Sequence, residues 1–245
     1  MQVLVELCVE GVDAAITAAA AGADRIELCA SLLEGGITPS LGTINATLAA
    51  VTVPVMVMVR PRGGDFLYTP REFATMLDDV ATFRATTAGV VFGCLTADGA
   101  IDEPRTRALV AQAKPRDCTF HRAFDMTADP VAALEALIRC GVPRVLTSGQ
   151  APTAREGQRL LAALHRQAAG RIIVMGCGAL RRDTIAEVHR ATGLAEFHFS
   201  APIETPSPMR HRNPALAMGA AGTAREFTRT GTDPALIRAT IAALR

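Results

Sequence analysis

The stretch VLVELCVEGVDAAITAAAAGADRIELC, Val3 to Cys29, decides the fold. It opens on a short run of apolar and polar residues in alternation, Val3–Cys8, which is the period of a strand. An alanine-rich stretch of helical spacing follows at Val12–Ala21, and Gly22 stands where that helix should end. A second strand pattern occupies Arg25–Cys29, so one complete strand–helix–strand unit is spelled out before the chain has properly begun. The tripeptide Glu-Leu-Cys occurs at the end of both strands, at Glu6–Cys8 and Glu27–Cys29.

The same unit recurs along the chain. Further strands are expected at Val55–Arg60, Gly89–Cys94, Asp117–His121, Arg144–Thr147, Ile172–Met175 and Ala195–Phe199. Helices are expected at Leu41–Val51, Pro70–Thr86, Glu103–Ala113, Pro130–Cys140, Ala154–Ala168, Arg182–Thr192 and Pro234–Leu244. Ser40, Thr69, Asp102, Asp129 and Asp233 occupy N-cap positions, and Pro70, Pro130 and Pro234 suit a first helical turn. Eight β–α units in 245 residues predict an α/β protein, a single TIM-type (β/α)8 barrel over residues 1–245. A doubly wound nucleotide-binding sheet would show Gly-x-Gly-x-x-Gly after its first strand, where this chain reads CVEGVDA with one glycine. An irregular segment rich in Pro, Gly, Arg and Thr, at about 201–232, precedes the last helix and is long enough to cover the barrel mouth or reach a neighbouring subunit.

Composition narrows the function. The net charge is +1, from 25 basic and 24 acidic residues, a balance that argues against a nucleic-acid binder, which normally carries a basic stripe. Arg181-Arg182 and Arg210-His211-Arg212 read as solvated surface. No apolar run reaches the roughly 18 residues of a membrane span. The start, Met-Gln-Val-Leu-Val-Glu, lacks the basic region of a signal peptide. Six cysteines without a Cys-x-x-Cys pair suit a reduced, cytoplasmic protein rather than a disulfide framework.

Alternation then assigns side chains to the two faces of the barrel wall. Glu6 and Cys8 of the first strand, and Glu27 and Cys29 of the second, should face the axis. The same parity turns Met56, Met58 and Arg60, Thr119 and His121, and Glu196 and His198 inward. Charged groups in a barrel interior are costly unless paired. One reading is a structural ion web in which Glu6 and Glu27 neutralise Arg60 and the histidines. The other is a functional site at the C-terminal mouth. Two glutamates and two histidines on one axis could also ligate a harder metal ion.

GADRIELCASLLEGGITPS, PVMVMVRPRGGDFLYT, VVFGCLTADGAID, FHRAFDM and RVLTSGQAPTAREG resemble the copper homeostasis family CutC, in the family's order, from about Val3 to the AMGA at Ala217–Ala220. The resemblance implies a cytosolic TIM-type barrel, a homo-oligomer (dimer or tetramer), and a role in copper tolerance with Cu(I) binding. It implies that Cys8 and Cys29 are the metal ligands, which agrees with the preference of soft Cu(I) for thiolates. One departure is notable: where the family reads Pro-Gly-Gly-Gly after the seventh strand, this chain has MGCGAL, with Gly176 and Gly178 retained and Cys177 between them as a possible third thiol.

The motifs also suit a catalytic site. Arg60 and Arg62 could bind an anion, with Asp65 orienting them. His121 could act as acid or base, with Arg122 and Asp125 fixing a substrate. Ser148 offers a hydroxyl after the sixth strand, and Gly176 and Gly178 offer backbone. Two functions are therefore expected. The first is a copper homeostasis protein holding Cu(I) at Cys8 and Cys29. The alternative is a barrel enzyme acting on a small anionic or sugar-like substrate, with Glu6, Glu27, Arg60, His121, Asp125 and His198 as its catalytic set.

Overall fold

The computed structural model describes residues 3–216, 218 and 225–245. The first two residues of the chain, and Ala217, Gly219 and Ala220 where the family similarity ends, lie outside the described residues. Eight parallel strands close into a barrel in chain order: β1 (Leu4–Glu10), β2 (Arg25–Cys29), β3 (Val55–Met58), β4 (Gly89–Phe92), β5 (Cys118–Phe120), β6 (Arg144–Thr147), β7 (Ile173–Cys177) and β8 (Glu196–Phe199). Around it lie α1 (Val12–Ala20), α2 (Leu41–Ala50), α3 (Pro70–Arg84), α4 (Glu103–Ala113), α5 (Pro130–Cys140), α6 (Gln158–Ala168), α7 (Ile185–Thr192) and α8 (Pro234–Ala242). This is the expected (β/α)8 barrel. Between β8 and α8 the chain forms an antiparallel ribbon of β9 (Pro202–Pro206) and β10 (Thr228–Thr232), at the two ends of the segment expected to be irregular.

The five expected caps all form. The Ser40 and Asp102 side chains each accept from the amide three residues on, Thr69 and Glu72 make a reciprocal capping box, and Asp129 and Asp233 each accept two first-turn amides. Each such cap stabilises its helix by about 1 kcal/mol. Gly141 and Gly193 close α5 and α7 in the left-handed conformation that a Cβ disfavours.

Most boundaries shift by one or two residues, β3 ending at Met58 and β4 at Phe92 for example, and three shifts have a visible cause. α6 begins at Gln158 rather than Ala154, because Gly149 and Gly157 bring two backbone segments together; a Cβ on Gly149 would lie 2.4 Å from the Gly157 carbonyl oxygen. α7 begins at Ile185 rather than Arg182, because the Thr184 hydroxyl caps the Arg181 amide in a turn of its own. β7 runs on to Cys177, so Gly176 and Cys177 lie within the strand and the turn starts at Gly178.

The main hydrophobic core lies between the sheet and the helices. It takes Val5 and Leu7 from β1, Ile26 and Leu28 from β2, Phe92, Phe120 and Phe197 from later strands, and Ile44, Met76, Leu109, Leu134 and Leu161 from the helices. Each such large side chain contributes roughly 1.5–3 kcal/mol by leaving water. Among the described residues, two small apolar clusters form inside the barrel: Cys29 with Met56, Met58 and Val91, and Leu146 with Met175 and Cys177. Most of the other inward side chains are polar or charged, among them Glu6, Arg25, Glu27, Thr119, Arg144 and His198. No helix among the described residues is long and apolar enough to cross a membrane.

Candidate functional site

The lumen holds a ladder of alternating charge that rises from the N-terminal end toward the mouth. Asp117 pairs with Arg144 at 2.8 Å, Arg144 with Glu196 at 2.7 Å, and Glu196 with Arg25 at 2.7 Å. Arg25 pairs in turn with Glu6, and the other Glu6 oxygen lies 2.8 Å from His198 Nδ1. His198 Nε2 stands 3.7 Å from Glu27. Strand register makes this possible: Glu6 sits between Arg25 on β2 and His198 on β8, and Cys8 is level with Glu27. Glu6 is completely buried and Glu27 is 3 % exposed. Burial alone would raise the Glu6 pKa, but the His198 hydrogen bond and the Arg25 charge outweigh it and hold the carboxyl down to about 2. His198 has a carboxylate on each ring nitrogen. Burial opposes its protonation, yet the Glu27 charge and the bonds to Cys8 and Glu6 raise its pKa well above the ordinary histidine value. Glu27 is pushed up, chiefly by burial, with Glu6 adding to the effect.

Two thiols cap the ladder. Cys8 Sγ lies 4.0 Å from Cys29 Sγ, and Cys29 Sγ lies 3.7 Å from Glu27 Oε2. The ligand atoms of Cys8, Glu27 and Cys29 all fall within 4.8 Å of one another, as do those of Glu6, Glu27 and His198. Gly36, at φ +86°, passes so close that a Cβ there would stand 3.0 Å from the Cys29 sulfur. Cys8 is held protonated by its bond to Cys29 and by burial, and burial together with the Glu27 charge pushes Cys29 up to about 11 despite the favourable bond from Cys8.

A cavity of about 330 Å³ opens above these groups at the C-terminal mouth. Cys8, Glu27, Met58 and His198 line one side; His121, Arg122, Cys177, Gly178, Ala179 and Arg181 line the other. Arg60, two residues past the end of β3, closes it. Its guanidinium donates to the carbonyls of Glu34 (2.7 Å), Gly36 (3.0 Å) and Gly64 (2.7 Å), tying the loops after β2 and β3 together. Arg60 therefore pairs with backbone rather than with Glu6 or Glu27, whose partner is Arg25 and His198 instead. His121 Nδ1 accepts the Ala123 amide at 3.1 Å. Burial, assisted by the Arg60 charge, lowers the His121 pKa to about 3, so the ring is neutral and its proton sits on Nε2. Three buried atoms of cavity residues have no hydrogen-bond partner among the described residues: Glu27 Oε1, Arg60 Nε and His121 Nε2. Orphans of this kind mark a place where a ligand, ion or water belongs.

The remaining expected site residues divide. Asp125, in the turn after β5, does not line the cavity but holds its neighbours: it accepts from the Thr147 hydroxyl (2.5 Å), the Ser148 amide (3.1 Å) and Arg122 Nε (2.8 Å), while Arg122 also donates to Ser148 Oγ at 3.0 Å. Arg62 and Asp65 sit on the rim outside the cavity, where Arg62 pairs with Glu72 (2.7 Å) and Asp65 (3.0 Å) and covers the Tyr68 ring. Gly176 faces the helix layer, where a Cβ would meet Leu194 at 2.9 Å, whereas Gly178 lines the cavity. Sequence reasoning missed Arg25 and Arg144, and it took Arg181 for solvated surface whereas Arg181 lines the cavity. Arg25 shares the parity of Glu27 and Cys29, so the alternation that assigned those two would have found it; Arg181 lies in a turn, where no period applies.

The donor set suits copper in kind: two converging thiols, with an unpartnered carboxylate oxygen beside them. Comparison with known proteins points the same way. A model of the CutC family matches residues 3–203. A CutC family protein from Mesorhizobium japonicum is 60% identical over 99% of this chain and 94% of its own length. The human copper homeostasis protein cutC homolog is 46% identical over 96% of this chain and 86% of its own. A crystal structure of CutC from Streptococcus agalactiae superposes with a TM-score of 0.75 at 30% identity, covering 80% of this chain and 98% of that one.

Proposed function

The chain belongs to the CutC family, and from that premise we propose that it serves copper homeostasis by holding Cu(I) between the Cys8 and Cys29 sulfurs. The observation that carries this reading is the approach of the two sulfurs to 4.0 Å, with Cys8 lining an open cavity and Cys29 buried beside it. Copper is cargo here. Soft thiolates select Cu(I) over harder ions, and the thioether of Met58 on the same wall adds to that character.

The chain's own residues handle the protons. Each thiol must lose one before it can ligate. The Cys29 proton can pass to Glu27 Oε2, 3.7 Å away, and the Cys8 proton can leave through the open cavity that Cys8 lines. His198 Nε2 stands 3.7 Å from that same Glu27 oxygen, and its charge offsets the negative charge that two thiolates bring into the lumen. All six cysteines are free, which supports a reducing, cytoplasmic setting. Competition with a Cu(I)-specific chromophoric chelator under anaerobic, reducing conditions tests the assignment. One equivalent should be withheld from the chelator by the native protein and none by Cys8→Ser/Cys29→Ser; equal retention by both proteins rejects it.

A further inference from the structure

Copper leaves most of the cavity unused. A single water-sized group needs about 10–15 Å³, against a cavity of about 330 Å³. The wall across the barrel from Cys8 and Glu27 has a different chemistry. It is built from the ends of β5 and β7 and carries Arg122, Arg181 and His121. Arg181 spends one guanidinium nitrogen on the Leu180 carbonyl, at 2.7 Å, and the others have no partner among the described residues. Arg122 is turned into the site by Asp125 and Ser148, which occupy its Nε and one terminal nitrogen and leave the second terminal nitrogen unused. His121 is 4 % exposed, its Nδ1 is committed as an acceptor, and its Nε2–H has nothing to donate to. Glu27 is the one carboxylate among the cavity's lining residues, and it belongs to the opposite wall.

The turn after β7 completes this wall. Gly178 and Ala179 take consecutive positive φ angles, +105° and +50°, and an alanine held in the left-handed region is the kind of strain that persists where a site requires it. Cys177 does not enter the turn, since it lies in β7. Loops after the seventh and eighth strands are where barrels of this class tend to receive oxyanions, and Gly178, Ala179 and Ser200 all border the cavity.

We propose that this wall is a subsite for the oxyanion of a small organic acid, a carboxylate or a phosphate monoester, with Arg181 and Arg122 meeting its charge and the neutral His121 donating through Nε2. The body of such a ligand extends toward Glu27 and the two thiols. The subsite stands on its own residues and does not depend on the copper reading.

Titration calorimetry on the full chain tests it, with inorganic phosphate and malonate as separate probes. At least one should saturate at one per chain in the millimolar range, and Arg181→Ala should weaken it about tenfold, the effect of removing a charge-assisted hydrogen-bond donor. Arg181 is half-exposed on a turn, so its truncation leaves the core alone; circular dichroism checks that it does. Saturation by phosphate alone assigns a phosphate ester, and by malonate alone a carboxylate. The proposal is overturned if neither probe saturates by about 10 mM, or if Arg181→Ala binds as tightly as the native chain.

Discussion

At the scale of single residues, the two buried histidines are set to opposite charge states by their neighbours. His198 lies between Glu6 and Glu27, while His121 lies beside Arg60 with no carboxylate in reach. The consequence for stability follows from linkage. An unfolded His121 takes up a proton near pH 6.5, whereas the folded one does so only near 3. Between those values the unfolded state binds more protons, so acid favours unfolding, by up to about 1.4 kcal/mol per pH unit. We expect the loss of stability between pH 7 and 4.5 to shrink by about 2–3 kcal/mol in His121→Gln, read from urea midpoints at the two pH values. An unchanged loss would mean that the ring is solvated and charged in the folded protein. Cysteine register matters at the same scale. Cys8 is level with Glu27 and Cys29 with Glu10, a two-residue stagger that sets their Cα atoms about 8 Å apart. That exceeds the reach of a disulfide, so the sulfurs can converge on a shared ion without closing a bond to each other.

At the scale of elements, the ladder shared by β1, β2, β6 and β8 behaves as one unit. Glu196 joins Arg25 to Arg144, and its loss leaves two buried guanidinium groups short of countercharge. Glu196→Ala should cost about 3–5 kcal/mol, measured by chemical denaturation, while Glu204→Ala on the exposed ribbon should cost under about 1 kcal/mol. Comparable losses in the two variants would show that the ladder carries no special weight. The repeat of strand and helix was legible because period two and the capping residues are written locally. Parity placed Glu6, Glu27, His121 and His198 correctly for the same reason. The starts of α6 and α7 were not legible, since a close glycine pair and a threonine turn depend on segments that meet only in space. Arg60 was misread as a partner for carboxylates because its true partners, three carbonyl groups, are invisible in a sequence pattern.

At the scale of the whole molecule, the β9–β10 ribbon is the feature that the barrel does not explain. All five residues of β9 are exposed, Ile203 among them, and a two-stranded ribbon is marginal on its own. Its base lies beside α1 and the loop after β8, where Pro202, Thr230 and Thr232 border Cys8. We expect the ribbon to be completed by a second copy of the chain. Light scattering should give a dimer or tetramer for the full chain and a monomer when residues 203–231 are replaced by a short Gly-Ser link. A deletion variant that stays assembled would move the interface elsewhere. The barrel itself carries a last implication. Its lower half is plugged by interlocked guanidinium and carboxylate groups, with Glu6 wholly shut away from solvent. The cavity at the mouth is thus floored by this plug, so the open path for whatever is received there leads back across the same threshold. Such an architecture suits custody and exchange; it does not suit conduction from one face of the protein to the other.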